Sequence, residues 1–335
     1  MNRIKIAQIG ISKYSHGTNI MNSIRKLTDI FDFVGYVPVE DEKEKFRETL
    51  KTMEPYQELT LEEVLSDPTI TAVTVEPEEV HLCKYATMAA KAGKHIHMEK
   101  PGGTDLAEFE ELIRTAKEQG IILHIGYMYR YNPYVKELME DIQSGKLGQI
   151  ICVEAQMNCI HPVHTRTFLK SFPGGMMFFL GCHLIDLILQ IQGMPKRIIP
   201  LNKSTGIDGV DSEDFGMVVL EYENGVSFAK TSAMELGGFA RRQLVVTGTK
   251  GTVELKPFEI YVPGGIISEL KTGRTTYTGE AWGDAGERVI SDVFDRYDPM
   301  MTAFAAMVRG EKENPYTLDY ELSLYKTILA CCGGN

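Results

Sequence analysis

The sequence predicts an α/β chain in two parts. A doubly wound parallel sheet comes first, followed by an α+β region with an open, mostly antiparallel sheet. Three observations predict this. Over residues 1–126, short apolar runs alternate with helical segments, the pattern of strands joined by crossover helices. After Gly126 the pattern changes to strand-like runs with few helices between them. At 335 residues, the chain is long for one hydrophobic core. The expected division is 1–126 and 127–335.

The elements follow in order. Residues 4–10 form a continuous apolar run of the kind buried on both faces of a parallel sheet. Gly10 ends it, and a helix is expected over 18–27 after Gly17. The second strand is read at 33–37 and a charged helix at 41–50. A short helix at 60–65 opens with Thr60 and Glu63, the spacing of a capping box. A third strand spans 70–75, and a helix over 81–92 stops at Gly93. Residues 95–98 make a short strand that meets a Lys100-Pro101 bond; proline lacks an N–H and keeps the preceding residue extended. Thr104 or Asp105 caps a long helix that runs to 119, with Gly120 beyond its end. Residues 121–126 are the fifth strand. The second region opens with an amphipathic helix at 133–144. Strands are expected at 150–156, 197–201, 215–222, 226–233, 243–247 and 252–256. One helix is read at 176–192, and two more, at 299–309 and 318–330, close the chain.

The net charge of −11 argues against nucleic acid and anionic membranes, which select clustered Lys and Arg. No apolar run reaches membrane-spanning length, and an opening strand leaves no room for a signal peptide. None of the six cysteines forms a Cys-x-x-Cys pair, so buried thiols in a reducing, cytoplasmic compartment are expected.

Chemistry is expected where strands end, because open parallel sheets bind ligands at their carboxyl edge. The first strand-to-helix turn keeps Gly10 of a G-x-G-x-x-G dinucleotide fingerprint, with Ser12 at the middle glycine position and Gly17 as a displaced last glycine. Ser12, Ser15 and Thr18 supply hydroxyls at a helix N-terminus able to hold phosphate. Past the second strand come Glu40 and Asp41, with no Lys or Arg placed for a 2′-phosphate. This favours NAD over NADP. Glu76-Pro77 ends the third strand, and its Glu meets a ribose or caps the next helix. Lys100 stands at the end of the fourth. His161-x-x-His164 lacks a neighbouring carboxylate or cysteine, so no metal site is expected. His95 and His97 share a strand face and are read as packing.

Two longer stretches carry a resemblance. The first is Ala-Gly-Lys-His-Ile-His-Met-Glu-Lys-Pro ending at Pro101, followed by a long helix and Gly-Tyr-Met-Tyr-Arg-Tyr-Asn-Pro ending at Pro133. The second is the Gly174-Gly175 pair followed by a helix with Gly181-x-His183-x-x-Asp186. In this order they resemble the Gfo/Idh/MocA family of sugar and cyclitol dehydrogenases over nearly the whole chain. The resemblance implies an N-terminal Rossmann domain that binds NAD or NADP, a substrate domain whose sheet makes homo-oligomer contacts (a dimer or tetramer), and Glu99-Lys100-Pro101 as the family's Glu-Lys-Pro. It also marks a departure: where typical members carry an Asp four residues before the helix His, this chain has Phe179.

The reading that follows is hydride transfer from a secondary hydroxyl of a sugar, sugar derivative or cyclitol to nicotinamide. Lys100 serves as proton acceptor or polarises the alkoxide, and His183, at the edge of an apolar helix face, is the second acid–base group. Asp186 orients His183 or a strand hydroxyl. Substrate contacts are expected from Tyr127, Arg130, His161, His164, Arg166 and Asp186. Cofactor contacts are expected from Gly10, Ser12, Ser15, His16, Glu40, Glu76, Pro77 and His81, and from Glu99, Lys100 and Arg130. Asn132 is a further candidate for either ligand. Phe179 and the altered glycine turn keep two alternatives open: a non-redox sugar or nucleotide sensor, and a glycosidase-type enzyme that uses tightly held NAD transiently.

Overall fold

The computed structural model describes residues 3–274 and 286–334; residues 1–2, 275–285 and 335, parts of the expected domain ranges, lie outside the described residues. The chain divides into two compact units, Met1–Met128 with Tyr297–Tyr325, and Tyr129–Arg296 with Lys326–Asn335.

In the first unit the elements are β1 (Ile4–Ile9), α1 (Gly17–Lys26), β2 (Phe31–Val37), α2 (Glu42–Lys45), α3 (Arg47–Met53), α4 (Leu61–Ser66), β3 (Ala72–Val75), α5 (Leu82–Lys91), β4 (His95–Met98), α6 (Leu106–Gln119) and β5 (Leu123–Ile125). Every pairing in the sheet is parallel, in the order β2-β1-β3-β4-β5. Ile6, Ile9, Val73, Val75, Ile96 and Met98 are fully buried, as expected for strands covered on both faces. The caps match their sequence signals. Thr60 and Glu63 close a reciprocal capping box on α4, and the Asp105 side chain accepts from Glu108 N at 3.0 Å to start α6. Gly120 ends α6 in the left-handed conformation (φ 61°). The helix expected over 41–50 is instead two short pieces, broken where Phe46 leaves helical geometry (ψ 46°).

The second unit contains α7 (Pro133–Gln143), β6 (Ile150–Asn158), α8 (Val163–Phe168), α9 (Cys182–Gln192), β7 (Arg197–Pro200), β8 (Phe215–Tyr222), β9 (Gly225–Ser232), β10 (Gln243–Gly248), β11 (Gly251–Leu255), β12 (Ile260–Val262), β13 (Gly265–Ile267), β14 (Glu269–Arg274) and β15 (Glu287–Ile290). Its main sheet has eight strands in the order β15-β14-β11-β10-β6-β9-β8-β7, antiparallel except where β6 runs parallel to β9. α9 covers β6 and β9 with a face that is buried nearly all round.

The chain ends in α10 (Tyr297–Val308) and α11 (Leu318–Cys331). The sequence reading grouped both with the second region, but Tyr297–Tyr325 clusters with the first unit. There Ser23 donates to Asp298 at 2.6 Å, and Phe109 packs on Tyr325 with ring centroids 4.4 Å apart.

Candidate functional site

In the first unit the strand order reverses between β1 and β3, which opens a crevice at the carboxyl edge between them. Gly10 ends β1 there at φ +92°. A side-chain carbon on it would come within 2.2 Å of Pro77 N, so the close approach of the two strand ends requires glycine. Gly17 likewise lets α1 pass the Glu76 side chain. Within the turn, the Ser15 hydroxyl donates to Ser12 O at 3.0 Å and accepts from Gly17 N at 3.1 Å. Ser15 thus shapes the turn. Ser12 Oγ accepts from Tyr14 N.

Glu99 and Lys100 leave β4 at this edge, and both are 2% exposed. Glu99 Oε2 accepts from His16 N at 2.8 Å and lies 2.8 Å from His16 Nδ1. The carboxylate therefore sits at the positive end of α1. Its other oxygen accepts from Lys100 N at 3.1 Å and lies 3.6 Å from Lys100 Nζ. Burial pushes the Glu99 carboxyl up, but His16 and Lys100 outweigh it and hold it well below the usual carboxylate range.

Glu76 and Glu79 follow β3 and are wholly buried. The Ser15 hydroxyl reaches the Glu76 carboxyl, and the backbone N–H of Glu79 reaches its own carboxyl. Burial, then the Glu99 charge, raises Glu76 well above its ordinary value. Burial pushes Glu79 up to about 7 against the pull of Lys100. His97 Nε2 is 3.9 Å from Glu76 Oε1, and His97 Nδ1 is 2.9 Å from His124 Nδ1. Burial lowers His97 to about 4, so its imidazole is neutral at pH 7. His95 Nδ1 accepts from Ile122 N at 3.0 Å. Both histidines of β4 are held inside the sheet, as a packing role requires.

At the end of β2, Glu40 takes up positive φ (50°) and accepts from Tyr85 at 2.9 Å and from Lys84. His81 Nδ1 lies 3.9 Å away. The sequence reading placed no cation here; α5 supplies Lys84 from 44 residues downstream. Glu42 was not singled out from the sequence because it lies in a charged run. It is buried, and its Oε2 accepts from Ile11 N at 3.0 Å and Val39 N at 2.9 Å, tying the β1 and β2 turns together. Burial pushes it up to about 7. Glu79 was missed for the same reason. The edge fits an adenine dinucleotide: α1 begins at the switch point, and Glu40 offers a carboxylate where ribose hydroxyls would be read. Tyr127, expected to touch ligand, is 1% exposed in this unit.

In the second unit, Arg130 grips Asp186 bidentately, Nε to Oδ2 at 2.9 Å and Nη2 to Oδ1 at 2.7 Å. Gln190 donates to the same carboxylate at 2.8 Å. Asp186, expected to orient His183 or a strand hydroxyl, is held in this ion pair, which gives Arg130 a structural anchor. Asn132, also a candidate, caps α7 and donates to Ser268 at 2.9 Å and to Glu259.

His183 does not lie at a face edge. Met177–Gly181 is wound as a π-helix before α9 begins, so faces counted at 3.6 residues per turn drift out of register. His183 is 2% exposed, and Tyr129 meets it edge-on with ring centroids 4.8 Å apart. Phe179 stacks on Phe172 at 5.9 Å and lies 6.3 Å from both Phe168 and His161. An aromatic wall thus stands where the resemblance expects a carboxylate. Burial lowers His161, whereas His164 is exposed on α8. Arg166, expected to face substrate, turns inward. It donates to Ile207 O at 3.0 Å, pairs with Asp208, and lies 3.5 Å from Asp214.

Residues 4–127 match the profile described as "Oxidoreductase family, NAD-binding Rossmann fold", and residues 135–254 match the GFO/IDH/MocA C-terminal domain. The chain is 32% identical to the uncharacterized oxidoreductase YhhX of Escherichia coli over 41% of this chain and 40% of that protein. It is 31% identical to scyllo-inositol 2-dehydrogenase (NADP(+)) IolW of Bacillus subtilis over 48% and 46%. These matches span less than half of each relative's length. The solved structure of levoglucosan dehydrogenase in complex with NADH and levoglucosan superposes with TM-score 0.79 at 18% identity, over 99% of this chain and 98% of that one.

Proposed function

The chain belongs to the Gfo/Idh/MocA family of NAD(P)-binding oxidoreductases, and on that premise we propose that it is an NAD-dependent dehydrogenase of a secondary hydroxyl on a sugar, sugar derivative or cyclitol. The observation that carries this reading is Lys100, an amine buried at the carboxyl end of β4 and fixed beside Glu99. Nicotinamide, when bound, accepts the hydride. Lys100 takes the hydroxyl proton. His183, held edge-on by Tyr129, contributes a second proton-carrying group, while His161 and His164 contact substrate hydroxyls. Glu40 meets the adenosine ribose and favours NAD. Two relatives support the substrate class by name, one a cyclitol dehydrogenase and the other bound to an anhydrosugar. The six free cysteines fit a reducing cytoplasm. Apolar side chains left exposed on the second unit's sheet, Ile151 and Val226 among them, fit pairing with a second copy.

The test is a panel of sugars and cyclitols with NAD and NADP, run on wild type and Lys100→Met. NADH should form with at least one polyol. Lys100→Met should lower kcat by about 10³-fold while NAD affinity, read by calorimetry, is retained. Tight NAD binding with no turnover of any polyol, or full activity in Lys100→Met, overturns the reading.

A further inference from the structure

Among the described residues, the second unit buries more arginines than acids. Arg130 is held by Asp186, Arg166 by Asp214 and Arg296 by Glu259. Arg242 is a further buried arginine, 6% exposed. Its Nη1 donates to the Tyr129 hydroxyl at 3.0 Å and its Nε to Asn158 O at 3.3 Å. Those acceptors are a hydroxyl and a carbonyl. Among the described residues, no carboxylate forms an ion pair with this guanidinium. Glu259 feels the Arg242 charge less than that of Arg296, its own partner. Burial outweighs the Arg242 charge and pushes the neighbouring Cys159 thiol up, so it supplies no counter-charge. A charge held out of water without a counter-charge is costly, so this position suits an anion brought by a ligand.

The surroundings of Arg242 are those of a ligand site. It immediately precedes β10, and Asn158 closes β6, whose end meets the start of β10 with Gln156 opposite Gln243. His161 follows in the same strand-end loop, where its N–H donates to Ala233 O at 2.8 Å. Burial, then the Arg242 charge, lowers His161. Tyr129 joins the cation to His183: it accepts from Arg242 and meets the imidazole edge-on at 4.8 Å. The guanidinium also lies over the Phe239 ring at 4.3 Å, and Phe239 stacks on Tyr261, which is 62% exposed. The cluster thus runs from a buried cation to the surface. Nη2 of Arg242 donates to no protein oxygen among the described residues, and it is not sealed from water.

We propose that Arg242 receives a carboxylate of the substrate, so that the polyol oxidised is a sugar acid, an aldonate or a uronate. This rests on the dehydrogenase reading above and names its substrate class. Nη2 supplies a charge-assisted hydrogen bond to the carboxylate. Tyr129 and Asn158 hold the other nitrogens and so fix the plane of the guanidinium. His161 and His183 are left for the hydroxyl-bearing part of the molecule. One unpaired positive charge matches one carboxylate. A phosphate monoester carries about −1.5 to −2 at neutral pH and would leave negative charge uncompensated in a buried place.

The test compares acids with their neutral counterparts. Glucuronate, galacturonate, gluconate and galactonate are titrated calorimetrically into the protein, alone and with NADH, beside glucose, galactose, glucitol and galactitol. At least one acid should bind wild type about 10–100-fold more tightly than its counterpart. Arg242→Met should remove that ratio. Arg242→Lys, which keeps the charge without the fork, should lower it several-fold. Arg241→Gln removes the same charge from the neighbouring residue, whose side chain is 59% exposed, and should keep the full ratio. In turnover with NAD, the preferred acid should hold a similar advantage in KM, lost in Arg242→Met.

No preference for any acid in wild type overturns the proposal. So does a preference that survives Arg242→Met or falls equally in Arg241→Gln. Should Arg242→Met not fold, an Arg242→Lys ratio equal to that of wild type overturns it. Glucose phosphate, bound through Arg242 more tightly than every acid, overturns the carboxylate assignment. The two readings fail separately. Acids bound through Arg242 without any reduction of NAD sink the dehydrogenase reading and leave the carboxylate site standing; oxidation of neutral polyols alone does the reverse.

Discussion

The two units treat buried charge in opposite ways. Among the described residues, the second buries Asp186, Asp214 and Glu259 together with Arg130, Arg166, Arg242 and Arg296. Each of those acids faces a guanidinium. The first buries Glu42, Glu76, Glu78, Glu79, Glu99 and Glu321 with only Lys94 and Lys100 as buried cations. Arginine keeps its charge and its fork geometry, so the second unit's pairs lock loops and helix ends in place. An excess of carboxylates does the reverse: it leaves groups whose protonation changes near neutral pH. Buried arginines such as Arg166 cannot be told from ligand-facing ones in the sequence alone.

The sharpest test of the contrast, after Lys100→Met, lies in the second unit. Arg130→Met strands Asp186 in a buried site and should cost about 3–5 kcal/mol of unfolding free energy. Arg130→Met with Asp186→Leu should recover much of that, because replacing both partners removes the uncompensated charge. Denaturant unfolding of the two variants, each compared with wild type, reads the difference. Equal losses in the single and the double variant would show that shape, rather than charge, holds this site.

The first unit should respond in the opposite sense. Folded Glu42 keeps its proton up to about pH 7, whereas the ordinary carboxyl value is 4.5. Between those values the native state binds more protons than the unfolded state. Stability from this group is therefore full below 4.5 and falls as pH rises through 7. Glu42→Gln, which can still accept from Ile11 N and Val39 N, should flatten that slope, by roughly 3 kcal/mol at most across the window. Denaturation midpoints at pH 5 and pH 8 measure it. A parallel fall in wild type and variant would assign the slope to Glu79 or Glu76 instead.

Much of this architecture was legible because local rules and burial agreed. The continuous apolar runs of β1, β3 and β4, the Thr60–Glu63 box, the Asp105 cap and the Lys100-Pro101 stop all carry their own signals. What escaped depends on distant partners or on departures from regular period. β14 reads Glu-Leu-Lys-Thr-Gly-Arg and β15 reads Glu-Arg-Val-Ile. Neither shows an apolar alternation, and both became strands by pairing at the sheet's end. The π-helical Met177–Gly181 has no signature at 3.6 residues per turn. Glu79 and Glu42 look like solvent-facing charges until the fold buries them. Lys84 reaches Glu40 across 44 positions, a distance no local pattern spans.

The smallest expected effect on stability tests the exposed end of the same contrast. Glu40 and Lys84 have side chains 31% and 53% exposed, so water screens the pair and its contribution should be within about 0.5 kcal/mol. Glu40→Gln should therefore leave the melting midpoint nearly unchanged. Its consequence belongs to binding. On the proposed reading, in which Glu40 meets the ribose, losing the carboxylate releases Lys84 from its ion pair and removes the repulsion of a 2′-phosphate. Calorimetric titration should show NADP gaining on NAD by about tenfold, the size expected for one screened charge contact worth about 1.4 kcal/mol. An unchanged ratio would place ribose recognition elsewhere on the edge. A large loss of stability would mean that this pair, despite its exposure, behaves like the buried pairs of the second unit.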